Sequence, residues 1–234
     1  MANMLMSPQN LPEAVRRVRA RIAEAAAQAG RDVGSITLLA ASKSQPAERI
    51  RAAFAEGVRH FGESYLQEAL PKIEALRDLP ITWHFIGQIQ ANKTRPIATH
   101  FDWVHGVDRL RIAQRLSDQR PYHAPPLQVC LQVNLGGEAS KAGVAPEELP
   151  ALAEAVARLP RIRLRGLMCL PPAEQDPARQ RHWFAELRRL QESLNARGAG
   201  LDTLSMGMSG DLEAAVLEGA TIVRIGTALF GPRP

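Results

Sequence analysis

The chain has 234 residues, 45% of them hydrophobic and 23% charged, with a formal net charge of +5, the profile of an ordinary soluble globular protein. Aromatics make up only 5%, and the basic residues are scattered among Asp and Glu, so no nucleic-acid signature appears and a mildly basic surface suits anionic small molecules instead. No stretch approaches the ~20 apolar residues of a membrane span, and the N-terminus lacks a signal peptide's apolar core, which makes the cytoplasm the expected compartment.

A first helix is expected from about Leu11 to Ala29, with Val15, Val18, Ile22 and Ala26 on one stripe and Gly30 as its stop. Short apolar runs then recur at Ile36–Ser42, Arg59–Gly62, Trp83–Gly87, Trp103–Val107, Val129–Asn134, Leu164–Cys169, Leu204–Met208 and Ile222–Gly226. Helical spacing fills most of the gaps, at Ala47–Glu56, Tyr65–Leu76, Arg109–Leu116, Pro146–Arg158, Arg179–Ala196 and Asp211–Glu218. Strands alternating with helices imply parallel pairing, and eight such units in a chain near ~250 residues predict a (β/α)8 TIM-like barrel with an extra N-terminal helix. A doubly wound open sheet is the runner-up, but the turn after the first strand, Ser42-Lys43-Ser44-Gln45-Pro46, is not glycine-rich. No linker or composition shift divides the chain, so residues 1–234 are expected to form one domain. Cys130 and Cys169 lie far apart in apolar runs and are expected to be two buried thiols, with no metal-site spacing.

Of 29 basic residues only four are lysine, Lys43, Lys72, Lys93 and Lys141. Where arginine serves for plain positive charge, a retained lysine hints at amine chemistry, because lysine can lose its proton and attack a carbonyl. Lys43 follows the first strand, at the barrel end where sites form. Met208-Ser209-Gly210 follows the seventh strand and Gly226-Thr227 the eighth, the places where barrels build phosphate sites. Arg224 lies two residues before Gly226 and should point inward with it. A buried arginine needs a partner: a phosphate, a ring nitrogen or an internal carboxylate such as Glu63 would serve. Amine, phosphate cup and inward arginine together suggest a phosphorylated aldehyde held as a Schiff base, with pyridoxal 5'-phosphate the obvious candidate. His84 and His105 could act in acid-base chemistry, but barrel histidines with satisfied hydrogen bonds are commoner. Trp83 and Trp103 read as packing.

Leu39-Ala40-Ala41-Ser42-Lys43, Phe61-Gly62-Glu63-Ser64-Tyr65, Trp83-His84-Phe85-Ile86-Gly87, Leu204-Ser205-Met206-Gly207-Met208-Ser209 and Val223-Arg224-Ile225-Gly226-Thr227 occur in this order. The pattern closely resembles the pyridoxal phosphate homeostasis proteins, which share the barrel of the alanine racemase N-terminal domain. The likeness runs from about residue 11 to 231. It implies that Lys43 forms the internal aldimine, that Ser209, Gly226 and Thr227 hold the phosphate, and that Arg224 faces the pyridine nitrogen; Met208 is a further candidate cofactor-binding residue. A guanidinium cannot give that nitrogen a proton, so the ring would be a poor electron sink. The family commonly has asparagine at the position of Ser64 and a second lysine at that of Gln45. Lys93 and Lys141 also fall in family-like segments.

The resemblance implies a non-catalytic carrier that buffers pyridoxal phosphate and supplies it to apoenzymes dependent on it. An amino-acid racemase is the competing class. Racemisation needs acid-base groups on both faces of a carbanion, which racemase-like enzymes take partly from a second, β-rich domain. The chain is expected to lack that domain, which favours the carrier and a monomer. A Schiff-base aldolase without pyridoxal is a third class.

Overall fold

Eight strands alternate with helices along the chain and close into one parallel ring, each strand paired with the next and the last with the first. The computed structural model describes residues 10–138 and 142–232. Helix α1 (Leu11–Gln28) comes first, with a proline in its opening turn, where no intrahelical N–H is needed. Its Leu11, Val15, Val18 and Ile22 are buried at three- and four-residue spacing. Gly30, at φ 64°, supplies the left-handed residue beyond its end.

The ring then runs β1 (Thr37–Ala41), α2 (Ala47–Ala55), β2 (His60–Glu63), α3 (Leu66–Ala75), β3 (Thr82–Phe85), α4 (Thr94–His100), β4 (Trp103–Val107) and α5 (Leu110–Gln119). Its second half is β5 (Leu127–Val133), α6 (Leu149–Ala157), β6 (Ile162–Cys169), α7 (Pro177–Ala196), β7 (Thr203–Ser205), α8 (Leu212–Leu217), β8 (Ile222–Ile225) and α9 (Thr227–Phe230). Strands covered by helices outside and by side chains inside are buried on both faces, hence their continuous apolar runs. β8 is buried at all four positions.

The expected barrel and N-terminal helix are both present. Two helices escape the sequence pattern. α4 has only seven residues, too few to show a period, although Thr94, Ile97 and Ala98 form a buried stripe. α9 is a single turn after Gly226. β7 ends at Ser205 rather than Met208, because Gly207 at φ 97° leaves extended geometry.

α1 packs on α8 and α9. Arg31 donates to the carbonyls of Val216 and Ala220. Arg21 grips Glu213 with two bonds, at 2.6 and 2.9 Å, and donates to the Ser209 carbonyl at 3.0 Å. The extra helix thus braces the loop after β7, one wall of the site.

Candidate functional site

A cavity of about 740 Å³ opens at the C-terminal ends of the strands. Lys43, Met208, Ser209, Arg224, Gly226 and Thr227 all line it. One mouth therefore collects residues of β1 and β8 and of the segments that follow β1, β7 and β8.

Lys43 sits in a tight turn held on both sides. The Gln45 amide closes the turn on the Ser42 carbonyl at 3.0 Å. Ser44 lies at φ 64°, a conformation that costs a non-glycine residue about 1–2 kcal/mol and needs external support. Glu68 supplies part of it by accepting the Ser44 amide at 2.9 Å. Ser42, fully buried, donates its hydroxyl to Glu63 at 2.6 Å. Lys72 donates to the Ser42 carbonyl at 3.0 Å and to both Glu63 oxygens at 3.0 and 3.1 Å. Burial raises the Glu63 carboxyl above the ordinary carboxylate range, opposed by the Ser42 hydroxyl and the Lys72 ammonium. Of the four lysines, the second thus braces the turn that presents the first.

Across the cavity, the Ser209 hydroxyl accepts the Ala228 amide at 3.1 Å, tying the β7 loop to α9. The Met208 amide donates to Asp211 at 2.5 Å, which turns the chain into α8. Thr227 and Met208 are exposed at the mouth. Arg224 is buried, donating to the Ser205 hydroxyl at 2.7 Å and to the Cys169 carbonyl at 2.9 Å. Its pKa is lowered by burial, yet a guanidinium remains charged at working pH.

Glu63 is therefore not the arginine's partner; its oxygens are taken by Lys72 and Ser42. His84 and His105 are fully buried and hydrogen-bonded, as the commoner role for barrel histidines requires. Trp83 is buried, and the ring of Trp103 stacks on His84 with centroids 5.5 Å apart. Cys130 and Cys169 are free buried thiols. Lys93 ends the short turn Ala91–Lys93, outside the cavity lining. Lys141 lies outside the described residues. Gln45, Ser64, Tyr65 and Gln132 also line the cavity. Gln132 carries no signal of its own in the sequence beyond its place near the end of β5.

Residues 14–234 match the family model for the alanine racemase N-terminal domain. A relative from Pseudomonas aeruginosa named pyridoxal phosphate homeostasis protein is 64% identical over 223 residues, covering 95% of this chain and 96% of its own. The chain belongs to the pyridoxal phosphate homeostasis protein family. Another member of the pyridoxal phosphate homeostasis protein family, from Escherichia coli K12, is 50% identical over 220 residues, covering 93% of this chain and 94% of its own. The structure of PipY from Synechococcus elongatus with pyridoxal phosphate bound is also similar to this chain. It is 38% identical with a TM-score of 0.84, covering 95% of this chain and 100% of that one. No helix among the described residues is long and apolar enough to cross a membrane.

Proposed function

We propose that this protein binds pyridoxal 5'-phosphate in the cavity at the C-terminal end of the barrel and carries or buffers it, without robust catalysis of its own. The observation that carries the reading is the meeting of Lys43, on a braced turn, and a buried cation, Arg224, in one cavity with the Ser209 and Thr227 hydroxyls. The residues fit the group. Ser209, Thr227 and the Gly226 backbone, which line the cavity together, suit a phosphate. Met208 flanks the same end. Arg224, which can only donate, suits an acceptor such as an aromatic ring nitrogen.

When bound, the cofactor supplies an aldehyde that condenses with the Lys43 amine, forming a C=N bond and releasing water. The braced turn fixes the backbone from which Lys43 enters the cavity, while Arg224 would withhold the protonated ring that carbanion chemistry uses. On this reading residues 1–234 act as one domain, a monomer in the cytoplasm, with pyridoxal phosphate-dependent apoenzymes as recipients.

The test is borohydride reduction of protein incubated with pyridoxal phosphate, followed by intact mass. Wild type should gain one reduced adduct, and Lys43→Arg should gain none while still binding cofactor in equilibrium dialysis. An adduct of undiminished yield in Lys43→Arg refutes Lys43 as the link. The racemase reading is favoured by the family model alone. Incubation with L-alanine decides it, since formation of D-alanine at about one turnover per second or faster would overturn the carrier.

A further inference from the structure

A chain of hydrogen bonds crosses the barrel interior beneath the cavity. His60 Nδ1 lies 2.9 Å from His84 Nε2, His84 Nδ1 lies 2.9 Å from His105 Nε2, and His105 Nδ1 lies 2.7 Å from Ser205 Oγ. Ser205 in turn accepts from Arg224 at 2.7 Å. The chain starts on β2, passes through β3 and β4, crosses to β7 and ends on β8. Its last member lines the candidate cofactor cavity. Its first lines a second cavity, of about 490 Å³, beside Thr37 and Arg59 at the opposite end of the barrel.

Donor counting gives this chain one direction. Arginine has no acceptor, so Ser205 must spend a lone pair on Arg224. The single Ser205 proton then goes to His105 Nδ1. His105 must carry its proton on Nε2 and donate it to His84 Nδ1. His84 must likewise donate from Nε2 to His60 Nδ1. In the reverse order, His105 would donate to Ser205, leaving the serine proton without an acceptor among the described residues, at a cost of about 1–3 kcal/mol in a buried site. Charged rings do not fit either. Burial, and then the nearby Arg224 charge, pushes His105 down to about 3. Burial likewise holds His84 well below the ordinary histidine range, with His105 and His60 adding to the effect.

We propose that Ser205, His105 and His84 are positioning residues for Arg224, a one-way relay of neutral groups that orients the serine lone pair and so aims the guanidinium. The relay rests on the reading of Arg224 as a cofactor-binding residue, but its proton order does not. A hydroxyl alone would rotate freely between partners; the histidine acceptor behind it fixes where its proton points and leaves its lone pairs toward the arginine.

The experiment is nitrogen-15 NMR of the histidine rings and arginine side chains in protein free of cofactor, from pH 6 to 8. His84 and His105 should both appear as neutral rings protonated on Nε2 across the range. A ring protonated on Nδ1, or a cationic ring, at either position overturns the proposal. Ser205→Ala should then mix the His105 tautomers and erase the slowly exchanging Arg224 guanidinium signals, with Ser205→Thr restoring both. Unchanged Arg224 signals in Ser205→Ala refute positioning, whatever the cofactor does. If wild type binds pyridoxal phosphate, Ser205→Ala should bind it about tenfold more weakly, and equal affinity refutes the functional role of the relay. If wild type binds none, the proposed function fails and the two NMR results still decide the relay.

Discussion

Replacing Lys72 by methionine removes the ammonium from a buried ion pair and leaves most of the side-chain volume in place. The lysine side chain is only 11% exposed and that of Glu63 is 0% exposed, so solvent cannot take over the lost bonds. Breaking one side of such a pair costs about 3–5 kcal/mol, because the remaining charge stays buried without compensation. For a chain of this size that corresponds to a fall in melting temperature of roughly 6–20 °C. The cost should depend on pH, with a sign that follows from Glu63. Its folded pKa is already raised by burial, and the Lys72 charge and hydrogen bonds are among the influences holding it down. Without them it rises further above the unfolded value of about 4.3. Between those two values the folded state binds more protons than the unfolded one, so stability falls as pH rises, by at most about 1.4 kcal/mol per pH unit. Urea unfolding of Lys72→Met against wild type should therefore show the larger loss at pH 8 and a smaller one at pH 5. Adding Glu63→Gln should recover part of the loss at pH 8. A loss equal at both pH values, and untouched by Glu63→Gln, would mean that Lys72 matters through packing and not through its charge.

Two further predictions follow from the barrel itself. A β-carbon on Gly166 would stand 1.7 Å from the Thr203 carbonyl oxygen, so Gly166→Ala must force β6 and β7 apart; we expect a loss above about 4 kcal/mol, read as collapse of the thermal transition. Burial pushes both Cys130 and Cys169 up to about 12, so a thiol-reactive disulfide dye at pH 8 should label neither in folded protein and both in denaturant. Rapid labelling of the native protein would contradict their burial.

The barrel was legible in the sequence because a parallel strand buried on both faces leaves an uninterrupted apolar run, and eight such runs were present. α4 was not, since seven residues with Pro96 in the first turn show no period to read. The strand ends marked Lys43, Ser209, Arg224 and Gly226 for the same geometric reason: successive strands of a parallel barrel deliver their C-terminal residues to one mouth, and the cavity gathers all four. What pairs with what was less accessible. Glu63 on β2 was one of three partners open to Arg224, yet the last turn of α3 brings Lys72 to that carboxylate. Long-range pairing of this kind leaves no local pattern. The scarcity of lysine drew attention to Lys43, but it gave no reading of Lys72, which serves in an ion pair and not in amine chemistry. The histidine chain left no signal, because three rings on neighbouring strands become one path only once the register of β2, β3 and β4 is known.

The two buried cations obey different logics, and the difference bears on what the cavity takes. Lys72 neutralises a carboxylate and thereby fixes a backbone turn. Arg224, among the described residues, makes no ion pair; its recorded partners are a hydroxyl and a peptide carbonyl. Burying a charge with only neutral acceptors is costly unless something else compensates it. Glu63, whose oxygens are taken by Lys72 and Ser42, does not compensate it; the carboxylate that favours its charged form is Asp211, without an ion pair. Arg224 also lines the cavity, and on the proposed reading a ligand that presents an acceptor to it would lower the cost of keeping the charge there. Pyridoxal keeps the ring nitrogen that suits Arg224 and lacks only the phosphate that Ser209, Thr227 and the Gly226 backbone would hold, so the phosphate ester should be bound far more tightly than pyridoxal. Competition dialysis of the two on wild type measures the ratio, and a ratio near one would refute a phosphate site at Ser209, Gly226 and Thr227.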